Sequence, residues 1–250
     1  MTTRELCGIS GLLRLLGVRA LSAAVTLVFA LTSTSLAATI TVNSLKDTGA
    51  SGICVLRDAI TAAKTKTATN GCAAGSGNDQ IRFGITGTIT LTSTLPKIMN
   101  GVLAINGPAS PGITIDGGDA VQVLMVGAGS TVELKDLTIS NGLSAFEDGG
   151  TGGGIRNDGT LSVTNCVFSG NTAEGCDLCG AGGAIFNDGR LAVTKSQFSD
   201  NQSSGFSGGG GIENQGKLLV ASSSFSGNFG HDGGGIDNAG LLDGDRYQFS

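Results

Sequence analysis

Paired carboxyls are the first chemistry to look for in this chain. It has one His and none of the nucleophile-elbow, HExxH, Walker or GxGxxG motifs. Hydrolysing a glycosidic bond takes two acids roughly 5–10 Å apart, one to give a proton and one to attack or to activate water. Three pairs stand close in sequence: Asp116 with Asp119, Glu147 with Asp148, and Glu174 with Asp177. Asp116-Gly-Gly-Asp119 reads as a tight turn first, because Gly and Asp supply the backbone angles that turns need. Glu147-Asp148 reads as a solvated insertion. A lyase would want a Ca²⁺ cluster and a base, and the nearest bases, Arg156 and Arg190, occupy unlike positions of the repeat described below. Gly230-His-Asp-Gly-Gly-Gly235 is faintly similar to Ca²⁺-binding nonapeptide repeats, but its period does not fit. No catalytic, cofactor-binding or metal-binding residue is therefore assigned. One Tyr and no Trp also leave little for a sugar ring to stack on.

Cysteines offer a second chemistry. Cys176-Asp-Leu-Cys179 has redox spacing without the βαβ context of a redox motif, and as zinc ligands it lacks two partners, since His231 is far off. A disulfide within that loop is expected, with a second between Cys54 and Cys72, which leaves Cys166 unpaired.

What must position these residues is a repeat. Ile155 to Phe168, Ile185 to Phe198, Ile212 to Phe225 and Ile236 to Phe249 align without gaps, each spanning 13 residues. Asn157, Asn187, Asn214 and Asn238 stand two after each Ile. Leu161, Leu191, Leu218 and Leu242 stand six after, and Val163, Val193 and Val220 stand eight after. Asn171, Asn201 and Asn228 follow each Phe by three. An earlier degenerate copy keeps the spacing through Val126, Val132, Leu134 and Ile139. Successive Ile residues are 30, 27 and 24 apart, so all the variation falls between a Phe and the next Ile.

Leu-x-Val puts two apolar side chains on one face of a strand, and one such unit cannot bury that face alone. The expected fold is all-β, a parallel β-helix. Each repeat would form one coil with short strands at Ile, at Leu-x-Val and at Phe, and coils would stack about 4.8 Å apart. Both Asn columns should then run as amide ladders, as in stacked cross-β assemblies. In residues 39–110 the repeat is absent. Strands are expected at Thr39–Asn43, Gln80–Phe83, Thr88–Thr92 and Val102–Asn106. Leu56, Ala59, Ile60 and Ala63 share one helical face. That helix would cap the open first coil; packing on the solenoid's side is the alternative.

Cys54-Val-Leu-Arg-Asp-Ala-Ile60, with Thr41-Val-Asn43, Cys72 and Gly77-Asn-Asp-Gln-Ile-Arg-Phe83, resembles the CSLREA domain of bacterial exported proteins, with Val55 for Ser and Asp58 for Glu. The GGxI…FxxN units resemble the repeats of polymorphic outer membrane proteins and other pectin-lyase-like β-helices. These resemblances imply a right-handed β-helix that is secreted or displayed at the cell surface, and they imply no reaction.

The remaining signals concern location. Arg4, Arg14 and Arg19 precede the apolar run Ala20–Leu31, and Ser35-Leu-Ala37 offers a cleavage site, the order of a secretory signal. An N-terminal anchor is the alternative, although 12 apolar residues fall short of the roughly 20 a spanning helix needs. Cutting after Ala37 leaves 12 basic and 19 acidic residues, a balance that disfavours nucleic acid as a partner. Residues 1–37 are thus expected as a signal peptide, 38–110 as cap and first coils, and 111–250 as repeats that stop in mid-coil. The mature chain is expected to hold no transmembrane span. Surface glycans or other cell-surface molecules are the expected partners, with self-association through an uncapped last coil. The leading expectation is a structural, adhesin-like or binding protein; the runner-up is a polysaccharide lyase or glycoside hydrolase.

Overall fold

The computed structural model describes residues 37–110, 112–175, 181–204 and 208–242. The expected leader through Leu36, the Cys176–Cys179 loop with Asp177, and Tyr247–Ser250 lie outside these residues. The described chain is a parallel β-solenoid, all-β apart from helix α1 (Leu56–Thr65) and one 3₁₀ turn (Phe146–Asp148).

A complete repeat, such as those beginning at Ile155 and Ile185, passes through four ladders in turn. Sheet II holds the Ile strands Leu124–Val126, Ile155–Asn157, Ile185–Asn187, Ile212–Asn214 and Ile236–Asn238. Sheet I has eight strands, from Thr39–Val42 through Thr160–Thr164, Arg190–Thr194 and Lys217–Ala221 to Leu241–Leu242. Sheet III has six, among them Val167–Ser169, Gln197–Ser199 and Ser224–Ser226. Sheet IV, which the repeat pattern did not announce, is a short ladder of Leu143–Ser144, Thr172–Ala173 and Gln202–Ser203.

The 13-residue spacing becomes vertical stacking. Ile155 pairs with Ile185, then Ile212, then Ile236. Leu161, Leu191 and Leu218 align, as do Val163, Val193 and Val220. Leu161 and Val163 point inward while Thr160 is exposed, the period-two alternation of a strand with one buried face. Phe168, Phe198 and Phe225 stack with ring centroids 4.7 Å apart and interplanar angles of 2° and 9°. Free aromatic pairs prefer offset or edge-on contact; here the coil repeat fixes the separation near the strand spacing.

The degenerate copy needs one correction. Leu124, not Val126, occupies the Ile column, and Val126 lies in the Asn column. Val132, Leu134 and Ile139 hold their expected columns. The turn from Val126 to Val132 is two residues longer than the turn from Asn157 to Leu161.

At the N-terminal end, α1 buries Leu56, Ala59, Ile60 and Ala63 in the same core as Ile40 and Val42, which makes it a lid on the first coil. Cys54 and Cys72, on either side of the helix, form the expected disulfide. Arg57 clamps the lid by donating to both carboxylate oxygens of Asp47 and to the carbonyls of Ser93 and Thr94. Asp79 accepts from the backbone N–H of Ala38, Ser76 and Gly77 and from Lys66 Nζ at 2.6 Å. For both acids burial pushes the pKa up. The hydrogen bonds and the adjoining cation overcome that, so each is held below the usual carboxylate value.

Candidate functional site

The Asn columns are the most regular polar feature of the chain. Asn157 Nδ2 donates to Asn187 Oδ1 (2.6 Å), Asn187 to Asn214 (2.5 Å) and Asn214 to Asn238 (2.6 Å). A second ladder runs Asn171 to Asn201 to Asn228, 2.8 Å per step. Each of its amides also reaches a backbone carbonyl, of Ile139, Phe168 and Phe198 respectively. Asn157, Asn171, Asn187, Asn201 and Asn214 have no exposed surface. Their side chains are fully used in holding coil to coil, so none is presented to a ligand.

A third ladder escaped the sequence reading. Ser196 Oγ accepts from Cys166 N–H and Ser223 Oγ from Ser196 N–H, both at 3.1 Å. Cys166 is a buried free thiol at the position where the next two repeats carry Ser. Burial pushes it up to about 11, which keeps it protonated and unreactive. The signal was present: all three residues stand 11 after their Ile.

Of the acids singled out by proximity in sequence, the described side chains serve a turn or lie exposed. Asp116 accepts from Gly118 N–H and from Asn141 Nδ2, a turn role. Asp119 sits in the same turn with φ of 51°, in the left-handed region. Glu147 lies exposed in the 3₁₀ turn and Glu174 is exposed after Thr172–Ala173. Arg156 donates to Asp158 and Thr151 and lies over the Phe186 ring on sheet II, whereas Arg190 is exposed on sheet I. The two bases therefore belong to different faces. His231 sits beside Asp232 at 3.1 Å, in the loop before Ile236. Among the described residues no three His, Cys, Asp or Glu are grouped to hold a metal ion.

One acidic pair does form, from residues the sequence reading passed over. Arg156, Phe186, Glu213 and Asp237 follow one another on the outer face of sheet II. Outward positions of a strand ordinarily meet water. Here the Gly-rich segments before each Ile fold back over them: a Cβ on Gly182 or Gly209 would lie about 2 Å from the carbonyl of Ile185 or Ile212. Only Gly allows such a close approach. Glu213 is consequently 2% exposed. Its Oε2 accepts from Gly209 N–H at 3.3 Å, and its carboxyl hydrogen-bonds Asp237 on the next coil. Burial, then the charge and hydrogen bond of Asp237, push Glu213 up to about 7.

Open space lies elsewhere. A groove of about 510 Å³ runs along the corner at Asp188, Arg190, Gln215, Lys217 and Leu241. A smaller one of about 210 Å³ continues across Ser162, Ala192 and Leu219 on the outer face of sheet I. Both share Arg190 and Lys217, which are in register.

No helix among the described residues is long and apolar enough to cross a membrane. The chain matches no family model and no curated protein.

Proposed function

We propose that this chain is an exported or cell-surface β-solenoid with a structural, adhesin-like or binding role. The observation that carries the reading is how the polar interior is used. The buried Asn side chains run in ladders from coil to coil, and Asp116, Asp119, Glu147 and Glu174 serve a turn or face solvent. The remaining outer surface, with its grooves along sheet I, is a platform for contact with another molecule. Export is supported by the order of charged, apolar and small residues at the N-terminus and by the Cys54–Cys72 disulfide, a bond favoured in oxidising compartments. Surface glycans are the partners that a polar, groove-bearing face suits best.

A second reading, polysaccharide cleavage, draws on Glu213 and Asp237. Glu213 stands in register with Asp237 on the next coil, but it is buried under the Gly-rich segment and so shielded from any substrate, whereas a glycosidase must present both carboxyls to the sugar. The contact role therefore stands first.

Expression of the whole chain in a secreting bacterial host tests the proposal. A product that begins at Ala38, lies outside the cytoplasm and binds saturably on a glycan array is expected. Retention of the uncleaved chain in the cytoplasm would overturn export. Release of reducing ends or unsaturated sugars, lost in Glu213→Gln, would overturn the non-catalytic role.

A further inference from the structure

Glu213 and Asp237 face each other across the joint between two coils. They are Cα partners on neighbouring parallel strands, so their side chains leave the sheet side by side. Like charges directly opposite one another weaken a strand pair. The surroundings do little to relieve this pair. Below Glu213 stands the uncharged ring of Phe186, and Arg156 lies one coil further, engaged with Asp158. The segment 204–211 before Ile212 has no ionisable residue. The segment before Ile236 brings His231 and Asp232, and the Asp232 carboxylate is taken up by His231 and by Gly208 N–H. Gln215, a neutral amide, is the other side chain that reaches Glu213. The Gln215 amide and the backbone N–H of Gly209 are thus the donors offered to a buried charge facing another carboxylate, and neither carries a positive charge.

We propose that this pair is a proton-operated latch: one shared proton locks the coil of Ile236–Asn238 onto the coil of Ile212–Asn214, and losing it lets the two coils part. The sign follows from proton linkage. In the closed coil Glu213 keeps its proton up to about pH 7, while in an opened, solvated coil it loses it near its ordinary value of 4.5. Opening therefore becomes more favourable as pH rises between those limits, by up to about tenfold per unit and about 300-fold in all, and levels off above them. Once open, Ile212–Asn214 is an edge strand able to pair with another chain.

Amide hydrogen exchange on the whole chain, corrected for intrinsic rates from pH 5 to 8.5, tests the latch. The N–H groups of Ala239 and Gly240 bond Asn214 O, and that of Leu241 bonds Gly216 O, so they report the joint. Those of Asp188, Gly189 and Arg190 report coils farther in. Protection at 239–241 should fall with pH up to about 7 and then level, while protection at 188–190 stays flat. Glu213→Gln, which has no proton to lose, should abolish the fall. Asp237→Asn removes the facing charge and should move the fall to lower pH. Flat protection at 239–241 in the unaltered protein, an equal fall in Glu213→Gln, or an unmoved fall in Asp237→Asn would each overturn the proposal.

Discussion

Replacing Asn187 by alanine interrupts an amide ladder at its middle rung. Its Oδ1 accepts from Asn157, and its Nδ2 donates to Asn214 Oδ1, to Lys217 O at 3.1 Å and to Gly189 O at 3.4 Å. Truncation orphans Asn214 Oδ1 outright. Asn157 Nδ2 loses one acceptor and keeps Arg190 O. All three amides have no exposed surface, so water cannot step in without a cavity. A buried polar group left unpaired costs about 1–3 kcal/mol. With one group fully and one partly orphaned, the loss should be about 2–4 kcal/mol. The same change at Asn238, whose amide accepts from Asn214 and is half-buried, should cost about 1 kcal/mol or less. Urea unfolding of both variants, followed by far-ultraviolet circular dichroism at one pH, measures the contrast. If Asn187→Ala falls within about 0.5 kcal/mol of the unaltered protein, or if the two substitutions cost the same, the ladder is not what holds these coils together.

Other consequences can be checked in the same way. Phe198 is stacked on both faces and buried, so Phe198→Ala should destabilise by about 3–5 kcal/mol, and the half-buried Phe225 less, by the same unfolding assay. Breaking the Cys54–Cys72 bond, with its separation of 18 residues, should cost about 3 kcal/mol and expose α1 to proteolysis before the repeats. Asp47 and Asp79 are held below their ordinary value of 3.8, so the stability they add is present above that pH and is lost as pH falls below it. Acid unfolding should therefore begin below about pH 4, and Asp79→Asn should flatten the curve. Cys166 should resist a thiol reagent at pH 8 until the chain unfolds, and Cys166→Ser should fold normally because Ser196 and Ser223 already fill that column.

The repeat was legible because a solenoid converts spacing along the chain into stacking in space. Matching offsets in the sequence became the Ile, Leu, Val and Phe columns and the two Asn ladders. The helical face at Leu56, Ala59, Ile60 and Ala63 was legible by the same token, through its 3.6-residue period. Apart from the Cys166, Ser196 and Ser223 column, which shares the repeat's period, what stayed hidden has no period of its own. Glu213 stands at an outward strand position, which ordinarily means solvent; only the fold-back of the Gly segment buries it. Glu213 and Asp237 are 24 residues apart, so proximity in sequence pointed to the wrong carboxyl pairs. Sheet IV was missed because two-residue strands carry no alternation.

Both ladders run one way. Asn157 gives to Asn187, which gives to Asn214, and Asn171 gives to Asn201, which gives to Asn228. Every inner rung both receives and gives, so an extra copy of the unit spliced between two others would satisfy its neighbours on either side, and deletion of a copy would rejoin them. Copy number is therefore a free variable for this architecture. Tandem duplication in the gene can lengthen the rod coil by coil, and recombination can shorten it, with no repair needed at the new junction.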